Sequence, residues 1–332
     1  MTIAEPVLYA IFAAVVIVLL AIDLLVAHRE THAVSLREAA LWSCIWIGVS
    51  VLFGIFVPQF HQSAEGSSSL LYFTGYLIEK SLSVDNVFLF VVIFGTLSVP
   101  KELQHRVLFY GVVGAIVMRT VLIFTGAALI ERFEWILYVF GAFLLYAAWR
   151  TYSDRHGHPD VTDSKLIARV RRIIPTTDTY EGEKFFVHRD GKRYATPLFI
   201  VLILVEFTDL VFAMDSIPAI FAITRDPFIV LTSNIFAILG LRALYFLLAG
   251  VADKLRYLKV GLSVILAYVG VKLLTAHLEG VWHPSPLQSL GVIGTILAVV
   301  VVASLVHPPD SEEIVEPDGG PWGSEDERDV AR

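Results

Sequence analysis

Glu79-Lys-Ser-Leu-Ser-Val-Asp85-Asn86 and Asp209-Leu-Val-Phe-Ala-Met-Asp215-Ser216 are two polar islands in an otherwise apolar sequence, placed 130 positions apart. Each sets an acid, a second acid six residues later, and then a small polar side chain. The likeness continues downstream. Met118-Arg119 is matched by Leu241-Arg242, Glu131-Arg132 by Asp253-Lys254, and Phe140-Gly141 by Val260-Gly261. The apolar runs around the islands repeat as units of three, and an odd number of crossings makes two copies enter a membrane from opposite sides. Inverted repeats of this kind are characteristic of secondary transporters, whose substrate site lies near the bilayer midplane where the repeats meet.

The surrounding composition sets the medium. Of 332 residues, 56% are hydrophobic and only 17% charged, more apolar surface than a water-soluble core can hide. Apolar runs bounded by charge, Pro and Gly predict nine spans, at 7–27, 38–58, 70–97, 107–130, 133–151, 195–222, 228–250, 257–276 and 285–306. Each is long enough to cross roughly 30 Å of hydrocarbon as a helix. Helices are required, because lipid offers the backbone no partner and nothing here alternates as barrel strands do. The expected fold is therefore an all-α polytopic membrane protein of about nine transmembrane helices containing two inverted three-helix repeats. Its parts are two N-terminal helices in 1–58, a first repeat in 70–151, a cytoplasmic loop in 152–194, a second repeat in 195–276, a last helix in 285–306 and an acidic, disordered tail in 307–332. That tail explains the net charge of −7, since nine acids and two arginines lie beyond Val306 and the rest of the chain balances.

Basic residues orient the chain. The loops at 28–37, 98–106, 150–193 and 251–259 hold 2, 2, 10 and 3 of them, whereas the alternate connections hold only Arg132 and Arg225. Cytoplasmic loops retain Lys and Arg, so the N-terminus is expected outside and the tail in the cytoplasm. The segment before the first span has no basic residue and reads as no cleavable signal. Within the large loop, Ser164–Ile174 spaces aliphatics among cations and suits a helix lying on lipid, while Phe185–Tyr194 carries the Asp190-Gly191 pair of a hairpin.

The acids near mid-membrane are costly, at about 2.5 to 3.5 kcal/mol each on insertion scales, so they face a cavity or one another. Glu79, Asp85, Glu206, Asp209 and Asp215 make five. Arg119 and Arg242, also mid-span, are expected to compensate two of them, and Lys80 a third, which leaves a residual negative site. On a helix Glu79, Ser83 and Asn86 share a face, as do Asp209 and Ser216, with Asp85 and Asp215 turned about 100° away. The polar run in the first island and Pro218 in the second suggest a local helix break. Carboxylates, the Asn86 amide and hydroxyls are hard oxygen donors suited to Mn²⁺, Mg²⁺ or Ca²⁺. Cys44 is the only cysteine, the histidines sit in loops or at span ends, and no motif of a metallopeptidase, phosphate loop or nucleophile elbow occurs. No enzymatic activity, permanently bound cofactor or nucleic-acid partner is expected.

The stretches Gly75–Asn86, Gln104–Phe109, Arg189–Pro197 and Val205–Thr224 resemble the TerC family of membrane proteins, and the likeness runs over about 7–306. The resemblance implies a bacterial cytoplasmic (inner) membrane protein related to the lysine-exporter superfamily. Members are linked to manganese export, to metal supply for secreted enzymes, or to tellurium resistance and redox modulation. It places the functional acids and polar groups at Glu79, Asp85, Asn86, Glu206, Asp209, Asp215 and Ser216. Two functions follow as expectations: export of a divalent cation, Mn²⁺ by the family's example, in exchange for protons, or a non-transporting scaffold that recruits a cytoplasmic or secretion-system protein. The topology is checked by cysteine labelling with Cys44 replaced. A cysteine at Thr2 is expected to react with an impermeant maleimide from outside and one at Ser324 not to; the reverse pattern would refute the orientation.

Overall fold

A computed structural model of the chain describes residues 5–27, 36–133, 135–153, 175–177, 179–189, 191–249, 257–275 and 284–306. The lipid-surface helix expected at 164–174 and the tail at 307–332 lie outside the described residues. Helices fill every predicted span. They are α1 (Glu5–Ala27), α2 (Leu36–Phe60), α3 (Ser68–Thr96), α4 (Lys101–Arg132), α5 (Ile136–Ser153), α6 (Pro197–Phe221), α7 (Pro227–Leu239), α8 (Leu241–Ala249), α9 (Leu258–Thr275) and α10 (Pro286–Val306).

Among the described residues, six of these helices are long and apolar enough to cross a membrane, or seven if α7 and α8 form one span bent by 43°. The count of nine expected from the sequence is thus not reached on length and apolarity. The shortfall has a physical cause in α3, which carries Glu79, Lys80 and Asp85, and in α5, which ends in Trp149-Arg-Thr-Tyr-Ser153. The expected break also moves. Both α3 and α6 run unbroken through the acidic islands and Pro218, and the interruption falls instead at Gly240 between α7 and α8. There Lys80 Nζ donates to the Ala237 carbonyl at 3.3 Å, placing a cation at the C-terminal end of α7, where it complements the helix dipole. Among the described side chains Lys80 thus caps a helix end, and no ion pair joins it to Glu79 or Asp209.

Helix α3 is the hub, packed against α2, α6, α7, α8 and α10. Helices α5 and α9 meet at Gly141 and Gly270, where a Cβ on either would lie 3.1 Å from the other's carbonyl oxygen. Small residues at such a crossing let two backbones approach closely. The outer helices turn apolar side chains outward, Ile17, Leu52 and Val299 among them, as a surface in contact with lipid requires.

Two extramembrane ties hold the ends. The expected hairpin forms from β1 (Phe186–Arg189) and β2 (Lys192–Ala195), with Phe186 opposite Ala195 and Gly191 at φ +73° in the turn. It is docked on the α3–α4 end. Tyr180 Oη donates to Leu97 O at 2.8 Å, and Arg106 reaches Glu183 at 2.5 Å with its guanidinium 5.4 Å from the Phe185 ring. At the opposite end, Asp226 caps α7 by accepting from Phe228 N at 3.1 Å and Ile229 N at 3.3 Å, and its other oxygen meets His61 Nε2 at 2.7 Å. Glu65 Oε2 accepts from Thr224 Oγ1 at 2.5 Å and Arg225 N at 2.9 Å, so the α2–α3 and α6–α7 connections are fastened together.

Helix α1 is fastened by charge. Arg242 on α8 donates from Nη2 to Asp23 Oδ1 at 2.8 Å and to the Asp23 carbonyl at 3.1 Å, both side chains being largely buried. This corrects the expectation that Arg242 compensates an acid of the two islands, since Asp23 was not counted among the mid-membrane charges.

Each tie has a measurable signature. Burial raises the Asp226 pKa, but the hydrogen bond and positive charge of His61, with the Ile229 N–H, outweigh it and hold this carboxyl below its ordinary range. A depressed folded value contributes stability that is complete above the unfolded pKa of about 3.9 and is lost as pH falls through the folded value. The melting temperature in detergent is therefore expected to fall below about pH 4 with a smaller slope in Asp226→Asn, while Asp226→Ala loses about 1–3 kcal/mol even at neutral pH. For the other tie, Asp23→Asn strands a buried guanidinium and is expected to cost about 3–5 kcal/mol. Adding Arg242→Gln is expected to restore folded yield, and failure to do so would count against the pair.

Candidate functional site

Helical periodicity brings the polar islands to one place. On α6, Phe207, Val211 and Met214 are exposed while Asp209, Ala213 and Ser216 are buried, so the acid faces inward because the lipid-facing side is taken by large apolar groups. On α3, Glu79, Ser83 and Asn86 recur at helical spacing along one buried face. The side chain of Asp85 lies outside the described residues.

Arg119 of α4 stands between these faces, 1% exposed. Its Nε donates to Asp209 Oδ2 at 3.1 Å and its Nη2 to Asp209 Oδ1 at 2.8 Å, a two-pronged pairing that only a guanidinium makes. Its Nη1 points toward Glu79 Oε1, Ser216 Oγ at 3.2 Å and Asn234 Oδ1 at 3.0 Å. One nitrogen with two hydrogens thus faces three acceptors. Asn86 Nδ2 approaches Asp209 Oδ1 at 3.5 Å. Asn234, on α7, is held by its own amide donating to Val230 O at 3.2 Å.

Glu79 Oε2, Ser83 Oγ and Asn86 Oδ1 are buried with no hydrogen-bond partner among the described residues. Two formal negative charges share one positive charge, in a medium where desolvated charge demands compensation. Glu206, three residues before Asp209 and so on a neighbouring part of the same face, lies apart from Arg119. Its carboxylate rests on α4 at Gly114, where a Cβ would come within 1.9 Å of Oε1. Only glycine admits it there.

Of the expected site residues, the fold gathers Glu79, Asn86, Asp209 and Ser216 around Arg119 and sets Glu206 beside them. Asp215 is partly buried further along α6 and is not among the partners of Arg119. Arg242 is on the far tie with Asp23. Among the described residues, no three His, Cys, Asp or Glu side chains converge closely enough to hold a metal by themselves. Asn234 is a participant that island counting misses. Its signal is Thr232-Ser233-Asn234, three polar residues inside an apolar run and all buried.

The cluster lies within the part of the chain, residues 64–312, that matches the model of the integral membrane protein TerC family. The protein provisionally named membrane-bound redox modulator Alx in Escherichia coli (strain K12) is 50% identical over 307 residues, covering 91% of this chain and 95% of that one. An uncharacterized membrane protein of Myxococcus xanthus, STKORF319, is 47% identical over 94% of this chain and 97% of its own. One from Rickettsia bellii is 42% identical over 90% and 97%. No solved structure matches this chain. With a family match over most of its length and near-full-length relatives at this identity, the chain belongs to the TerC family of multi-pass integral membrane proteins.

Proposed function

We propose that the protein is a nine-span transporter of the bacterial inner membrane, N-terminus outside, that exports a divalent metal cation, Mn²⁺ first among candidates, in exchange for protons. The observation that carries this is the row of buried oxygens on α3, Glu79 Oε2, Ser83 Oγ and Asn86 Oδ1, beside two carboxylates that share a single guanidinium. Hard oxygens in that number, with surplus negative charge, suit a hard divalent ion and offer nothing to a soft one. The inverted-repeat reading draws support from the packing. Helix α3 meets α6, α4 meets the α7–α8 pair and α5 meets α9, so each helix of the first unit touches its counterpart in the second. Rocking of one unit against the other would expose the cluster to either side in turn.

The competing reading is a membrane scaffold for a tellurite-resistance, redox or secretion-linked complex, and the name of the Escherichia coli relative favours its redox form. With Cys44 as the only cysteine, this chain has no internal dithiol couple, so a redox effect would have to be indirect, for example through metal supply. Purified protein in liposomes is expected to move Mn²⁺ only with opposing proton flux, and Asp85→Asn and Asp215→Asn are each expected to abolish it while leaving folded protein. If folded, inserted wild type moves no Mn²⁺, Ca²⁺ or Mg²⁺ under an imposed pH gradient, export is refuted and the scaffold reading replaces it.

A further inference from the structure

Glu79 and Asp209 are the acids best placed to receive a cation, yet Arg119 already holds them. Both oxygens of Asp209 and one of Glu79 accept from the guanidinium, and Ser216 and Asn234 complete its surroundings. The same oxygens cannot serve a metal while Arg119 stays. A side chain already satisfied by a fitted set of acceptors would be fixed structure, but this set does not fit. Nη1 is offered three acceptors, and three more buried oxygens on α3, the Ser83 hydroxyl among them, have no hydrogen-bond partner among the described residues. The cluster contains more oxygen than one guanidinium uses, as a site with a larger cation as its second occupant would.

Glu206 supplies the second station. Its carboxylate lies against Gly114, five residues before Arg119 on the same helix, and among the described residues no donor reaches it. Glu206 precedes Asp209, which the guanidinium already grips, by three residues on α6, and side chains at that spacing are neighbours on a helix, so a shift of about one turn brings Arg119 to it. We propose that Arg119 is a tethered cation that competes with the transported ion for Glu79 and Asp209, and that Glu206 receives its guanidinium when the ion binds. The charges then match one for one: a divalent ion between Glu79 and Asp209, and Arg119 on Glu206. In the empty carrier Arg119 returns and keeps two carboxylates from facing each other unpaired in the bundle. The inference rests on the export reading above and deepens it by assigning the empty state its own resident cation.

Equilibrium dialysis of Mn²⁺ against the purified full chain in detergent tests it. Removing a tethered competitor raises apparent affinity by the fraction of time it blocked the site, so Arg119→Gln is expected to bind Mn²⁺ about tenfold tighter or more. Glu206→Gln, which removes the receiving carboxylate, is expected to bind about tenfold weaker, and the double variant to behave as Arg119→Gln alone, because Glu206 acts only through Arg119. Gly114→Ala, whose new Cβ displaces the Glu206 carboxylate but keeps both charges, is expected to mimic Glu206→Gln and supplies the test if Arg119→Gln does not fold. Wild type that binds Mn²⁺ while Arg119→Gln binds no tighter would overturn the competition and leave export standing. Equal weakening by Glu206→Gln with and without Arg119 would make Glu206 a direct ligand and overturn the second station. Unchanged binding in both Glu206→Gln and Gly114→Ala would do the same. Absence of binding in every variant would overturn this proposal and the export reading together.

Discussion

A charge surrounded by hydrocarbon must meet an opposite charge or a dense set of dipoles, and the packing of this bundle is organised around that demand. Arg119 meets it by drawing Asp209 from α6 and Glu79 from α3 to one point on α4, with Asn234 of α7 as a third contact. Four helices are therefore held in register by one side chain. The apolar core around them, Ile78, Ala213 and Ile217 among its members, sets distance but not rotation, since lipid tails are as apolar as the side chains they would replace. Polar specificity does here what the hydrophobic effect does in a soluble core.

The same demand recurs with other means at the edges. Arg242 anchors α1 through Asp23, Lys80 satisfies a carbonyl released where α7 ends, and Asp226 joins a helix cap to a bridge with His61. None of these is a bond between a helix and its neighbour in sequence. Each joins segments far apart in the chain, and each leaves the lipid-facing surface free of charge. The hairpin end is fastened by different chemistry, aromatic and cation–π contacts around Arg106, because water reaches that surface and ion pairs alone contribute little there.

Much of this was legible in the residues. Apolar run length places every helix, because in lipid no other spanning structure satisfies the backbone. The hairpin follows from Asp190-Gly191, since Gly191 adopts the positive φ such a turn needs. The pairing of Glu79 with Ser83 and Asn86 on one face follows from helical spacing. What escaped was partner choice. Arg119 and Arg242 sit in matching sequence contexts, Met118-Arg119 and Leu241-Arg242, yet one turns to the centre and the other to α1, and nothing local to either arginine distinguishes them. The difference arises from Asp23 on α1. The helix break escaped for a related reason: α6 runs on through Pro218 to Phe221 with one N–H bond forgone, whereas Gly240 interrupts α7–α8 midway and Lys80 donates to the Ala237 carbonyl there.

The chain order of the central cluster bears on how such a protein is made. Glu79 and Arg119 are 40 residues apart on α3 and α4, while Asp209 lies 90 residues beyond Arg119. Helices α3 and α4 can therefore leave the insertion machinery with one acid and its base already matched, a pair whose net charge is zero before α6 exists. Asp209 arrives later, into a bilayer where a guanidinium with unused N–H groups is already in place. Synthesis from the N-terminus thus delivers Asp209 only after the base that makes it tolerable in lipid, and a chain with the order of these helices reversed would expose Asp209 first and alone.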